Sequence, residues 1–221
     1  MRGFLKRSPN LSIRQPEGCS LSRATSFNKH NVSIFLDKLH NVLRRHESFA
    51  DGSRICNLYE TDTTTVQKSK KVIACKGVKQ VSQVTSAERG SLVTTCYFIS
   101  ASRNTIPPAI IFPRAHFKSF MLCNAPTGSL GLATPSGCIN TELFVEVIRY
   151  FINDTNSSIE NPTFLLFDNH ENHLSTECVD LAKSNGVTIL TFSSHCSNKL
   201  QPLGVSVYFS FKAHYNRAVD T

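Results

Sequence analysis

Apolar residues recur at helical spacing in two stretches of this chain. In the first stretch they repeat every three or four positions and predict an amphipathic helix over residues 31–45; they are Val32, Phe35, Leu36, Leu39, Val42 and Leu43. The second set predicts a helix near residues 143–151 and comprises Leu143, Phe144, Val147, Ile148 and Phe151. The first 30 residues are polar, contain Pro and Gly and show no apolar period, which is typical of an arm or linker.

Four segments in the first half have the composition of β-strands: residues 54–60, 71–75, 91–100 and 105–112. The last two are separated by four residues, which predicts an antiparallel hairpin. Because Pro107 and Pro108 cannot donate to a strand ladder, we expect the second strand of the hairpin at a sheet edge. Residues 124–137 are rich in Gly, Pro and Ser, so they are expected to form a loop.

The last third of the chain predicts alternating strands and helices. Residues 164–167 form a continuous apolar run, typical of a strand buried on both faces, and the run ends in Asp168. Ser175 is positioned to cap a helix over 176–185, and residues 187–192 form another apolar strand. Such a unit implies a right-handed crossover and parallel pairing. We therefore expect an α/β protein with a mixed sheet, antiparallel strands first and parallel strands later, flanked by helices. A final helix over 205–219 is expected to be cut short by the chain end.

Composition adds a basic N-terminal segment to this picture. The chain has 221 residues, 40% of them hydrophobic, and a formal net charge of +8. Residues 1–50 hold nine Lys and Arg against three acids, which indicates an anionic partner such as nucleic acid, with a solvated arm as the alternative. No apolar run approaches the roughly 20 residues of a membrane-spanning helix. We expect a basic arm and linker helix over 1–50 and one folded domain over 51–221.

Asp168 is the first candidate for chemistry, because α/β sheets hold ligand groups at the ends of buried strands. An acid there commonly binds a divalent metal; the alternative is an Asp that caps the following turn. With His170, His173 and His195, Asp168 could instead bind zinc or another transition metal. Cys196 beside His195 could form a nucleophilic pair, although adjacent residues of an extended segment point to opposite faces.

Several motifs in order along the chain match one family. FLLFDNHENHLS and HCSNKLQPLG correspond to the family patterns LxxDNHxxH and PPHxSHxLQPLD. NLYETDTTTVQKSKKVIACKGVKQV corresponds to NxDETGxxTVQKPxKVIAxKGxKQV, and SAERGSLVTT to SxERGxLVT. IPPAIIFPR and GLATPSGCINTELFVEVIRYFI also align. From about residue 14 onward the chain therefore resembles the DDE superfamily endonuclease domain of transposases of the Tigger, pogo, jerky and centromere protein B type.

The resemblance implies an RNase H-like fold in which three carboxylates hold two divalent cations, Mg²⁺ or Mn²⁺ in an active enzyme. This chain departs from the family at two of those positions. Tyr59 and Gly204 stand where the family has aspartates, and only Asp168 keeps its acid. We therefore expect a transposase-derived, endonuclease-like domain that is catalytically inactive and requires no cofactor.

No neighbouring acid is expected to replace the two that are missing. Glu60 and Asp62 lie an odd number of residues from Tyr59, so on a strand they should face the other side of the sheet. Residues 181–219 contain no Asp or Glu at all. An active metal-dependent endonuclease or strand-transferase with unexpected ligands nevertheless stays open as an alternative, as do a protein-interaction remnant and an unstable product.

A basic run offers a candidate contact for nucleic acid. Its members lie within 68–79 and are Lys68, Lys70, Lys71, Lys76 and Lys79. They could follow a DNA backbone or protect a solvated edge strand. Aromatic residues do not alternate with these lysines, so no stacking platform is expected there. We expect non-specific, salt-sensitive binding of DNA, no membrane and no small-molecule substrate. The resemblance also implies a nuclear protein.

Overall fold

The computed structural model describes residues 2–8, 10, 20–64 and 91–219. The described helices are α1 (Arg2–Arg7), α2 (Leu21–Ser26), α3 (Lys29–Leu43), α4 (Thr141–Thr155), α5 (Thr176–Ser184), α6 (Ser197–Leu200), α7 (Pro202–Ser206) and α8 (Tyr208–Val219). The described strands are β1 (Ile55–Thr64), β2 (Leu92–Ser100), β3 (Thr105–Pro113), β4 (Leu130–Thr134), β5 (Thr163–Phe167) and β6 (Val187–Thr191). Helices α1 and α2 lie where the sequence predicts an arm, and the strand predicted over 71–75 lies outside the described residues.

The described strands form one sheet in the order β4-β3-β2-β1-β5-β6. Strand β2 pairs antiparallel with both β1 and β3. The remaining pairs, β3 with β4, β1 with β5 and β5 with β6, are parallel. The mixed sheet expected from the sequence is therefore confirmed, and β1 lies at its centre between an antiparallel and a parallel neighbour.

Strand β3 lies inside the sheet, so the edge position expected from its two prolines is wrong. The register of β2 against β3 shifts between Cys96 and Phe98, and Pro107 and Pro108 fall at this bulge. On the other side of β3, the ladder with β4 begins only at Ala109. The missing N–H groups of the prolines therefore fall outside the regular ladders, which is how a sheet accommodates proline without ending.

Strand β4 lies within residues 124–137, where the sequence predicts only a loop, so that expectation is wrong as well. All five residues of β4 are half-buried, which leaves no alternation of apolar and polar positions to mark a strand. The ring of Phe117 lies directly against Gly131, and a Cβ at that position would overlap the ring. Glycine has a low propensity for strands, so this strand is not predicted from the sequence although the glycine is needed for packing against the ring.

Helices cover both faces of the sheet. On one face α4 and α5 build the larger core, whose aromatic members are Phe98, Phe144, Phe151 and Phe167. On the other face α3 packs over β5 and β6 in a smaller core that contains Phe35, Val42, Phe49, Phe164, Leu166 and Phe192. Every residue of β5 is buried, as its apolar run predicts. Each fully buried Phe contributes about 1.5–3 kcal/mol to the free energy of unfolding.

The last third follows the predicted pattern with one break. Ser175 caps α5 by accepting a hydrogen bond from the main-chain N–H of Cys178 at 3.2 Å. The helix expected over 205–219 is divided into α7 and α8 at Val207. The ring of Phe211 on α8 packs against Tyr97 of β2 at 5.5 Å between centroids. None of the described helices combines the length and the apolar character needed to cross a bilayer.

Candidate active site

Strand pairing brings two of the three candidate positions together. In the parallel ladder of β1 and β5, Asn57 lies opposite Leu166. Tyr59 and Asp168 each lie two residues beyond this pair in the same direction, and Asp168 immediately follows β5. The carboxylate of Asp168 is close enough to influence the ionisation of the Tyr59 phenol. Two positions that are 109 residues apart in the sequence therefore share one end of the central strand pair.

The third candidate position reaches the same place through α7. The side-chain amide of Gln201, just before the helix, donates a hydrogen bond to the main-chain oxygen of Leu58 at 2.9 Å. This contact fixes the start of α7 on β1 and places Gly204 against the ring of Tyr59. A Cβ added at Gly204 would lie 3.1 Å from Cε2 of Tyr59, tighter than an ordinary contact. The ring and the glycine are complementary in shape.

The ring of Tyr59 belongs to an aromatic cluster and brings no negative charge. It packs edge-on against Tyr208 with ring centroids 5.1 Å apart. Burial is the main reason that the pKa of Tyr59 is raised, and the neighbouring Tyr208 raises it further. The phenol is therefore neutral at physiological pH. A neutral phenol is a poor substitute for a carboxylate as a ligand of Mg²⁺ or Mn²⁺.

Asp168 makes its closest described contact with a buried histidine. Nδ1 of His173 lies 2.9 Å from Oδ1 of Asp168, and Nε2 lies 3.0 Å from Oε2 of Glu60. The Asp168 oxygen is poorly aligned with the ring nitrogen, so this contact is electrostatic, whereas the Glu60 contact is a hydrogen bond. The imidazole is 2% exposed and stacks on Phe144 at 4.1 Å between centroids. Two carboxylates therefore flank one imidazole.

The two carboxylates hold His173 in its charged form. Burial is the largest single influence and lowers the pKa, because it penalises the charged imidazolium. The interactions with Asp168 and Glu60 act in the opposite direction and together outweigh burial, which raises the pKa to about 9. His173 is therefore positively charged at neutral pH, and its single charge is shared between the carboxylates of Asp168 and Glu60.

The residues at this site do not fit the pair of divalent cations that the resemblance implies. Such a pair needs several carboxylate oxygens that converge on one space. Here Asp168 is engaged by His173, the ring of Tyr59 fills the space beside Gly204, and Glu60 lies on the opposite face of β1 with His173. Within residues 2–8, 10, 20–64 and 91–219, no group of three or more His, Cys, Asp or Glu side chains is arranged to hold a metal ion.

The alternatives built on the histidines and Cys196 find no assembled site. His170 and His195 line an open polar cleft of about 440 Å³ beside Asp168. The ring of His173 lies 5.3 Å from that of His170 but is buried and does not line the cleft. Cys196 is fully buried, and its Sγ contacts the main-chain oxygen of Ser26 at 3.3 Å. Burial raises the pKa of its thiol, so this cysteine is a poor nucleophile.

Sequence reasoning placed Glu60 on the face away from Tyr59, which agrees with its position, but it missed the contact of Glu60 with His173. The contact depends on the 3₁₀ turn over Glu171–His173, which brings the second histidine of the DNHENH segment to Glu60, and the sequence pattern carries no signal for it. The predicted basic contact at Lys68, Lys70, Lys71, Lys76 and Lys79 lies outside the described residues.

Comparisons with known proteins agree with this fold. The family described as DDE superfamily endonuclease matches residues 89–221. A search of curated proteins finds no match. The Mos1 transposase paired-end complex with left transposon end is similar with a TM-score of 0.57 and 15% identity, over 96% of this chain and 56% of that one. Mos1 mariner paired-end complexes with Mn and with Mg both give a TM-score of 0.57 and 15% identity, over 97% of this chain and 57% of theirs.

The structural likeness supports a conclusion about the fold, and the family match supports one about family membership. At 15% identity the likeness to Mos1 shows the fold alone, an RNase H-like mixed sheet flanked by helices, and this chain spans little more than half the length of those chains. The family match is evidence of family membership, because it covers more than half of this chain and runs from just before β2 to the last residue. The chain therefore belongs to the DDE superfamily endonuclease family.

Proposed function

We propose that this transposase-like domain binds DNA and does not cleave it. The observation that carries the proposal is the fit between Tyr59 and Gly204, the two positions where the family has aspartates. The ring of Tyr59 uses the space that a side chain at 204 would occupy. The two replacements are therefore structurally matched, and together they remove two negative charges from the site.

Electrostatics supports the same proposal. Two divalent cations bring four positive charges, which a two-metal site balances with carboxylates and the phosphate of the substrate. In this chain Asp168 supplies one negative charge, and the imidazolium of His173 already lies 2.9 Å from it. A metal ion would have to compete with that charge without help from Tyr59, whose raised pKa keeps it neutral.

DNA binding rests on charge and on the family. The net charge is +8, and residues 181–219 contain no acid. Exposed cations on this acid-free stretch include Lys199, Lys212 and Arg217. Structurally similar Mos1 transposase is known as a complex with a transposon end. We propose that the lysines within 68–79 take part in the same contact and that binding is non-specific. We also propose a basic arm and linker helix over 1–50, a folded domain over 51–221, and residence in the nucleus.

A cleavage assay tests the catalytic half of the proposal. Supercoiled plasmid is incubated with the protein and either Mn²⁺ or Mg²⁺, and nicking is compared with that of the Asp168→Asn variant. We expect no difference between the two proteins. A Tyr59→Asp, Gly204→Asp double variant serves as the test of assay competence, together with calorimetric titration by Mn²⁺. Nicking by the natural sequence that disappears in Asp168→Asn would show that the domain is an active enzyme.

A binding assay tests the other half. Fluorescence anisotropy with a random duplex of about 30 base pairs should show binding at low salt, and each lost phosphate contact should reduce the salt slope by about 1. We expect a Lys68→Gln, Lys70→Gln, Lys71→Gln variant to have a smaller slope. Lys183→Gln on the outer surface of α5 is the matched control and should bind like the natural sequence. Absence of duplex binding at low salt would indicate a protein-interaction domain instead.

A further inference from the structure

The loop between β3 and β4 exposes basic and aromatic side chains in alternation. Within residues 114–120 these exposed side chains are Arg114, His116, Phe117, Lys118 and Phe120. This arrangement differs from the lysine run at 68–79, where no aromatic residue alternates with the charges. Residues 91–141 contain no Asp or Glu, so no acid in this stretch of sequence offsets the cations of the loop.

The first aromatic residue packs the loop against the sheet. The ring of Phe117 covers Gly131 of β4 and stacks on Phe112 with a centroid distance of 6.3 Å and an interplanar angle of 29°. A 3₁₀ turn over Ser119–Leu122 then directs the second aromatic residue outward. Phe120 is 68% exposed, so Phe117 anchors the loop and Phe120 is presented to solvent.

Phe120 forms one wall of a recess of about 400 Å³ at the start of β2. The other walls include the apolar side chains of Val93, Phe112 and Met121, and the cation Arg114 lies at the rim. An aromatic wall beside a cation suits a ligand that has a flat, partly apolar ring joined to an anionic group. A nucleotide has both parts, and the recess is large enough for one base.

We propose that this loop binds unpaired nucleotides of single-stranded nucleic acid. A base stacks on the ring of Phe120, while Arg114 and Lys118 contact the adjoining phosphates. Stacking on an aromatic ring requires an exposed base face, and in a duplex those faces are covered by neighbouring base pairs. The site therefore recognises unpaired strands and goes beyond the proposed function, which concerns duplex DNA. A protein partner is less suited, because an apolar protein surface gains nothing from the flanking cations.

The test compares Phe120→Ala and Phe120→Leu with the natural sequence. Binding of oligo(dT) of about 12 nucleotides is measured by anisotropy at low salt, and loss of one stacked base should weaken it about 5- to 150-fold. Phe120→Leu keeps an apolar side chain without a π face, so it should lose most of the same affinity. Phe27 is another exposed aromatic residue and lies far from Phe120 in the sequence. The Phe27→Leu variant is therefore the matched control and should bind like the natural sequence. An oligonucleotide with a central 5-iododeoxyuridine should photocross-link to Phe120.

Duplex DNA measured in parallel separates this inference from the proposed function. Weak oligo(dT) binding in the Phe120 variants with unchanged duplex affinity would support the single-strand site. Equal oligo(dT) affinity in all variants, or no oligo(dT) binding by the natural sequence, would overturn it whether or not duplex DNA binds. If Phe120→Ala instead changes only the sedimentation of the protein, the loop is a protein interface and the inference is wrong. Thermal melting of each variant confirms that the fold is retained.

Discussion

His173 should make the stability of this domain depend on pH. Its pKa is about 9 in the folded protein because the carboxylates of Asp168 and Glu60 outweigh the effect of burial. In the unfolded chain the same imidazole titrates near its ordinary value of 6.5. A group whose pKa is raised by folding stabilises the fold fully below the unfolded value, and this contribution disappears as the pH rises through the folded value.

The magnitude follows from the difference between the two pKa values. A shift of about 2.5 units corresponds to about 3 kcal/mol of stabilisation at low pH, at about 1.4 kcal/mol per unit. Between about pH 5.5 and 8 the domain should lose about 2 kcal/mol of this free energy of unfolding. Burial also raises the pKa of Cys56 and Cys178 to about 11, but this matters only where unfolded thiols ionise, above about pH 8.5.

Urea unfolding at several pH values from about 5.5 to 8 measures the effect directly. His173→Gln carries no titratable group and should have a flatter dependence on pH than the natural sequence, by about 2 kcal/mol over this range. His214→Gln, on the exposed side of α8, is the matched control and should follow the natural sequence. If the natural sequence and His173→Gln lose stability in parallel, His173 is not held as a buried cation and the account of the Asp168 contact is wrong.

Three further substitutions test the packing. Gly204→Ala should lower the free energy of unfolding by about 1 kcal/mol, because overpacking against Tyr59 exceeds the gain in helix propensity. In a Tyr59→Ala background the same substitution should be stabilising, and a double-mutant cycle measured by urea unfolding checks both values. Gly131→Ala should cost about 1–3 kcal/mol through overlap with Phe117, and thermal melting should show recovery when Phe117 is also made Ala. Arg54→Ala should cost about 1.5–3 kcal/mol in the same assay because the guanidinium donates to the main-chain oxygens of Thr155, the last residue of α4, and of Asn161 and Pro162 beyond it. Arg54→Lys should not recover this loss.

The sequence predicts the centre of the fold well, because there the periodic signal and the tertiary structure agree. The apolar run before Asp168 is a strand buried on both faces, and the helix capped by Ser175 follows it at the expected place. The sequence predictions fail where a tertiary contact, which the local sequence does not reveal, determines why a glycine or proline is tolerated in a strand. Gly131 accommodates a ring that lies 14 residues earlier in the chain, and the prolines of β3 fall at a bulge whose position depends on β2.

The candidate site was predictable as a set of positions but not as a set of contacts. The family motifs identify Tyr59, Asp168 and Gly204, and strand pairing together with the anchor of α7 brings all three together. Alternation along β1 also places Glu60 on the correct face. The contact of Glu60 with His173 depends on how the turn after β5 folds back beneath the sheet, and no spacing rule gives that path.

Strand β1 separates two interactions at the candidate site, and both resist the introduction of further carboxylates there. On one face Tyr59 fills the space beside Gly204; on the other, Glu60 and His173 form a buried pair that also engages Asp168. Tyr59→Asp alone would leave a gap beside Gly204 and remove the packing against Tyr208, with a cost of about 2–4 kcal/mol. Gly204→Asp alone would push a carboxylate into the ring of Tyr59. Each single substitution therefore destabilises the fold, because the ring of Tyr59 and the glycine at 204 are complementary in shape.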